Sequence, residues 1–145
     1  MSSTNKNLTR QTIFNRAIKG LITQGRQATN TSGDCQYRGH EGTKCALGLL
    51  IPDKHYNPDA ENTMVVKDDF TKDAVYYMCK ASGINLDLAP TRDLVADLQE
   101  MHDNCLDDQD FVAYVIPFFW QYSLTRLRTP SLYSTIAFQA SGLSS

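Results

Sequence analysis

The sequence predicts a mostly α fold: a single compact domain of about five helices with a glycine-rich looped segment between the first and second. Three observations carry this expectation. Apolar residues recur at i, i+3 and i+4 in four separate stretches, which places them on one face of a 3.6-residue turn. Each stretch is preceded by Thr, Asp or Pro, residues that favour helix starts. Strand-like alternation is confined to two short runs, so at most a short strand pair is expected. A chain of 145 residues suits one core. Residues 1–8 read as a polar tail, 9–128 as the domain and 129–145 as a weakly ordered C-terminal segment.

The first helix starts at Thr9 and carries Ile13, Phe14, Ala17, Ile18, Leu21 and Ile22 on one stripe, with Gly25 as its stop. Residues 26–34 are polar and turn-rich, a surface loop. Residues 35–43 continue as a compact looped segment, because Gly39 and Gly42 admit positive φ. Thr43 can cap a short second helix over 44–51, and Pro52 ends it for want of an amide donor. Gly48 costs such a helix about 1 kcal/mol relative to Ala, which points to close approach by another element.

Residues 53–68 are irregular, with Met64-Val65-Val66 as a candidate brief strand. The third helix runs to Ser82 from a cap at Asp69 or Thr71, with Phe70, Ala74, Met78 and Ala81 inward and Gly83 as stop. Ile84, Leu86 and Leu88 alternate with Asn85 and Asp87 as an extended connector. Pro90-Thr91 opens the fourth helix, whose stripe is Leu94, Leu98, Met101 and Cys105. The fifth begins at Asp107 or Asp108 and covers 111–126; Pro117 kinks it, and Phe118, Phe119, Trp120 and Tyr122 anchor it in the core.

Charge is unevenly spread. Residues 53–110 hold fourteen Asp/Glu against five Lys/Arg, while residues 1–52 hold seven Lys/Arg against Asp34 and Glu41. An acidic surface steers basic partners, so Asp107, Asp108 and Asp110 are the candidate partner face, with solvated helix faces as the plainer reading. The basic segment is too sparse and too poor in aromatics to argue for nucleic acid. No apolar run reaches a membrane span, and the polar first ten residues lack the pattern of a secretory signal, so no membrane and a cytoplasmic setting with reduced cysteines are expected.

Four constellations bear on chemistry. Cys35, His40, Cys45 and His55 offer four zinc-type ligands, but without the two-residue knuckle of structural zinc sites. No cofactor is therefore the expectation, with zinc there as the alternative. His102-Asp103 resembles the doublet of helical metal phosphohydrolases, with His40 or His55 before it and Asp108 or Asp110 after it as further ligands. Any of the four cysteines could pair with His102 as nucleophile and base, Cys35 being the least buried by pattern. The run Arg38-Gly39-His40-Glu41-Gly42-Thr43-Lys44 faintly resembles a phosphate loop but lacks its glycine spacing and its preceding strand. No catalytic residue emerges from these. The ligand or interaction candidates are Tyr37, Arg38, His40, Lys44, Gln99, His102 and Asp103, and the partners of Tyr37, Arg38 and Lys44 are expected on the Gln99–Asp103 helix.

Three motifs carry a resemblance. They are Leu21-Ile22-Thr23-Gln24, the block from Cys35 through Lys44-Cys45-Ala46 to Ile51-Pro52-Asp53 with Tyr56 shortly after, and Leu98-Gln99-Glu100-Met101-His102-Asp103 ahead of an aromatic helix. In these the chain resembles a family of small bacteriophage proteins, over about residues 13–125. The resemblance implies a viral origin and the host cytoplasm, and supplies no activity. The functional expectation is a phage accessory protein that binds a host protein or host-defence complex, of the anti-defence or host-takeover type. The alternative is a small-ligand- or metal-binding protein, a hydrolase among the options, with its site between the Cys35–Cys45 loop and the His102-Asp103 helix. Whether it is an enzyme is left open, leaning to no, and no oligomeric state is implied.

Overall fold

The computed structural model describes residues 7–61, 63–65, 67, 71–105 and 110–127. Val66, Asp69, Phe70, Asp107, Asp108 and the segment 129–145 lie outside the described residues, as do the expectations that fall on them.

Helix α1 spans Arg10–Gln24; Thr9 accepts from the Thr12 amide at its start, and Gly25 closes it in the left-handed region at φ 79°. The six stripe residues predicted for it are all buried. Helix α2 spans Ala74–Ala81, capped by Asp73, and helix α3 spans Ala89–Asp103. Helix α4 spans Phe111–Tyr122 and runs on into a wider π turn at Ser123–Leu127. Asp110 caps α4 by accepting from the Ala113 amide at 3.2 Å. The chain is mostly α, as predicted, with four α-helices among the described residues.

Helix α1 is the spine against which α3, α4 and the Gly48–Leu50 turn all pack. Phe14 stacks on Phe119 and Tyr122 with ring centroids 5.7 and 5.4 Å apart, in the offset geometry aromatic quadrupoles prefer. Each such fully buried ring contributes about 1.5–3 kcal/mol from burial. The stripe of α3 is buried as predicted, joined by Val95 and His102.

Four local expectations are corrected. The helix expected over 44–51 is a single 3₁₀ turn at Gly48–Leu50, and Lys44 instead bridges to Arg38 in extended conformation. The reason lies in Arg38, whose guanidinium takes the Gly48 and Ile51 carbonyls at 2.9 and 2.7 Å and so terminates the turn from outside. Helix α2, capped by Asp73, buries Val75, Tyr76, Met78 and Cys79, a face rotated from the predicted one. The connector after Gly83 is a turn, in which Asn85 accepts from the Asp87 and Leu88 amides; Ile84 and Leu86 are buried while Leu88 is exposed. Among the described residues the only pairings of β type are isolated bridges, Thr29 with Cys35 and Arg38 with Lys44, and neither involves Met64 or Val65.

Candidate functional site

The loop from Gly25 to Thr43 is fastened onto the end of α3 by side chains that reach backbone. Gln27 Nε2 donates to the His102 and Cys105 carbonyls at 2.7 and 2.9 Å, satisfying carbonyls that a helix end leaves open. The Ala28 amide donates to His102 Nε2 at 3.0 Å. Further along, the Leu47 amide donates to Gln99 Oε1 at 2.8 Å. Gln24 pairs both ways with the Lys44 backbone, at 2.8 and 2.9 Å. The loop and the Gln99–Asp103 stretch are thus joined through Gln27, Ala28, Leu47 and Gln99.

Tyr37, Arg38 and Lys44 do not find their partners on α3. Arg38 holds the Gly48 and Ile51 carbonyls, pairs with Asp53 at 3.1 Å and lies over the Tyr56 ring. Lys44 Nζ reaches the same carboxylate at 3.7 Å. The Tyr37 hydroxyl donates to the Thr63 carbonyl, and burial, with Cys45 and Cys79 next in effect, pushes that hydroxyl well above its usual range. Glu61, unremarked in the sequence, accepts from the Tyr37 amide, the Arg38 amide and the Tyr56 hydroxyl. The two cations are thus engaged within the chain.

Cys35, His102 and Asp103 are brought together, with ligand atoms within 4.8 Å of one another. Among the described residues they form the one such group, so Cys35, His40, Cys45 and His55 do not converge as a zinc set. The hydrogen bonds decide what His102 can do. Its Nε2 accepts from an amide that can only donate, so the ring proton sits on Nδ1 and points at Asp103 Oδ1, 2.8 Å away. A metal on Nδ1 needs the proton moved to Nε2, against the Ala28 N–H; a metal on Nε2 strands that amide. With a metal on Nε2 the Nδ1–H would still donate to Asp103, as metal-bearing histidines do, so the Ala28 amide on Nε2 is what stands against a metal here. The same occupancy withholds Nε2 from service as a general base for a thiol. His102 is fully buried and edge-on to Phe111, a structural pin. Neither His40 nor His55 joins it, so the phosphohydrolase set is not assembled among the described residues.

The other cysteines, Cys45, Cys79 and Cys105, are buried. Burial pushes the Cys45 thiol up to about 12 and raises Cys79 further. Cys35 is half-buried and, with Tyr37, Gln99 and Asp103, lines a cavity of about 260 Å³ between the loop and α3.

Next to that cavity around α3, with Glu100 lining both, lies a larger open groove of about 640 Å³, walled by α3 and α4. Met101, Tyr114, Phe118 and Tyr122 supply its apolar surface. Asp97, Glu100 and Arg126 supply its charges. Asp97 already holds Lys67 Nζ at 2.6 Å and the Tyr122 hydroxyl at 3.1 Å. Burial first, and Asp97 second, push the Tyr122 hydroxyl up to about 12. The sequence places Met101 and Tyr122 in the core, and both are buried there; Glu100 and Tyr114 are not among the residues it singles out. The signal available was a polar i, i+3, i+7 series at Asp97, Glu100 and Asn104, alongside Met101 on the same side of the helix. Of the acidic face expected, Asp110 is exposed at the start of α4. Among the described residues no helix is long and apolar enough to cross a membrane. Compared with known proteins, the chain matches no family model, no curated protein and no solved structure.

Proposed function

We infer that the protein acts by binding another macromolecule, and that, following the sequence resemblance, this is a host protein or host-defence complex met by a phage protein in the host cytoplasm. The observation that carries the reading is the open α3/α4 groove, which exposes aromatic and carboxylate groups side by side. Sites of this kind suit protein recognition, where aromatic anchors supply most of the affinity. The engaged ring nitrogens of His102 support the same reading, since they remove the best candidate base. The test is affinity capture from host cells carrying the tagged full chain, quantified against an unrelated bait of similar charge. A reproducibly enriched host protein that also binds when purified is the expected result. Enrichment no greater than with the control bait ends this reading.

A second reading rests on the 260 Å³ cavity beside Cys35 and Asp103, a volume suited to a small molecule. A native mass spectrum of freshly purified protein, with elemental analysis, decides it: a stoichiometric added mass supports it, and the bare chain mass removes it.

A further inference from the structure

Of the bonds that fasten the loop to α3, one passes through a group that changes charge with pH. The amides of Gln27 and Gln99 are neutral at every pH, so the clamp between Gln99 and the Leu47 amide is indifferent to protons. The Ala28 amide ends instead on His102 Nε2 at 3.0 Å, in a ring with no exposure to solvent. Nε2 accepts only while the ring is neutral, and a second proton turns both nitrogens into donors. The Ala28 N–H would then face another N–H. Nδ1 offers it no alternative, because the proton there is already directed to Asp103 Oδ1.

The surroundings of the ring contain a counter-ion and no competing cation. Asp103, on α3 itself and about one-third exposed, faces Nδ1. Cys35 of the loop lies within 4.8 Å of both groups. Tyr37 and Cys45, close enough to sense Asp103, are kept neutral by burial. Helix α4 presents the uncharged ring of Phe111, and the buried stripe of α1 holds no ionisable group. Beyond α3, Cys105 is joined to Gln27 through its carbonyl. The loop is also tied to itself, backbone to backbone, between Gln36 and Ala28 and between Asn30 and Asp34, so residues 26–34 can move as a piece.

We propose that residues 26–34 form a proton-operated latch: a second proton on His102 breaks its bond to the Ala28 amide and lifts this segment from the end of α3, while the Leu47–Gln99 clamp holds. The proton comes from solvent, the imidazolium pairs with Asp103, and loss of the proton closes the latch again. The two Gln27 bonds are partly exposed, so water replaces them as the segment lifts. The segment walls a polar cavity of about 590 Å³ against the start of α4, and Cys35 just after it lines the 260 Å³ cavity. The latch therefore governs access to both.

The test is NMR on the ¹⁵N-labelled full chain from about pH 8 to about pH 5, which spans the ordinary histidine value of about 6.5 and stays above that of the carboxylates. At the alkaline end the His102 ring should show the Nδ1–H tautomer. On acidification, the His102 ring nitrogens and the Ala28 amide should share one midpoint. Protection of that amide, corrected for intrinsic exchange, should fall by up to about tenfold per pH unit, the limit for one coupled proton. Protection of the Leu47 amide should not change. His102→Gln, which can accept from Ala28 but does not titrate, should stay closed throughout. Asp103→Asn should move the midpoint to lower pH by removing the counter-ion. An Ala28 amide still protected at the acid end, joint loss at Ala28 and Leu47, or a response that follows His40 or His55 overturns the proposal. The same response in His102→Gln also overturns it. If that variant does not fold, an unmoved midpoint in Asp103→Asn is sufficient to overturn it.

Discussion

The two faces of α3 differ in how far their polar groups are already engaged. Towards the loop, its groups are engaged: Gln99 accepts from the Leu47 amide, and the ring and carbonyl of His102 take the Ala28 amide and the Gln27 side chain. Towards α4, Glu100 and Asn104 are exposed beside an open groove. The side richest in chemically suggestive residues is the structural one. The side that looked like ordinary amphipathic helix is the one with surface to offer.

Variants on the two sides should break or sharpen that contrast. The largest effect is expected from His102→Ala, which empties a fully buried site and leaves the Ala28 amide without an acceptor. A loss of about 3 kcal/mol in urea unfolding is expected. A stable His102→Ala protein would undo the assignment of that side as structural. Gln99→Leu should cost about 1–2 kcal/mol, since it leaves the Leu47 amide unpaired.

Alkaline titration compares the two sides within one molecule. The Cys45 thiol, ordinarily near 9.0, is pushed up to about 12, so the folded chain keeps a proton that the unfolded chain releases. Its stabilisation is complete below about pH 9 and is lost as pH rises towards 12. Tyr122, ordinarily near 10.0 and also pushed up to about 12, adds a loss that begins about one pH unit later. Unfolding free energy measured from pH 8 to 11 should therefore begin to fall near pH 9, where buried Cys79 contributes as well, and Cys45→Val should make that fall shallower without moving its onset (about pH 8–11 brackets both ordinary values). The smallest effect belongs to Glu100→Lys, which should change stability by less than about 0.5 kcal/mol. A larger loss would mean that Glu100 is part of the architecture after all.

Much of the fold was legible because it is local. The stripe Ile13 to Ile22 and the caps at Thr9 and Gly25 depend on residues a few positions apart, and all are found as read. What failed depends on distant groups. The turn at Gly48 is short because the Arg38 side chain claims its carbonyls, which residue propensities along 44–51 cannot reveal. The expected close approach at Gly48 does hold, for a Cβ there would run into the Tyr37 carbonyl. His102 was identifiable as a residue of consequence. Its role was not, since the location of its proton is set by an amide 74 residues away. Gln24 and Gln99, which fall within the quoted motifs, act in this chain as brackets to the Lys44 and Leu47 backbone.

Those brackets also bear on how the chain folds. The bonds that fasten the loop to α3 join residues 52 to 78 positions apart, so each must await closure of a long segment and repay its entropy only on docking. Helices α1, α3 and α4 can form from local contacts before that happens. The loop should be the last region to gain protection from hydrogen exchange during refolding, and the Ala28 amide should report the moment at which it docks.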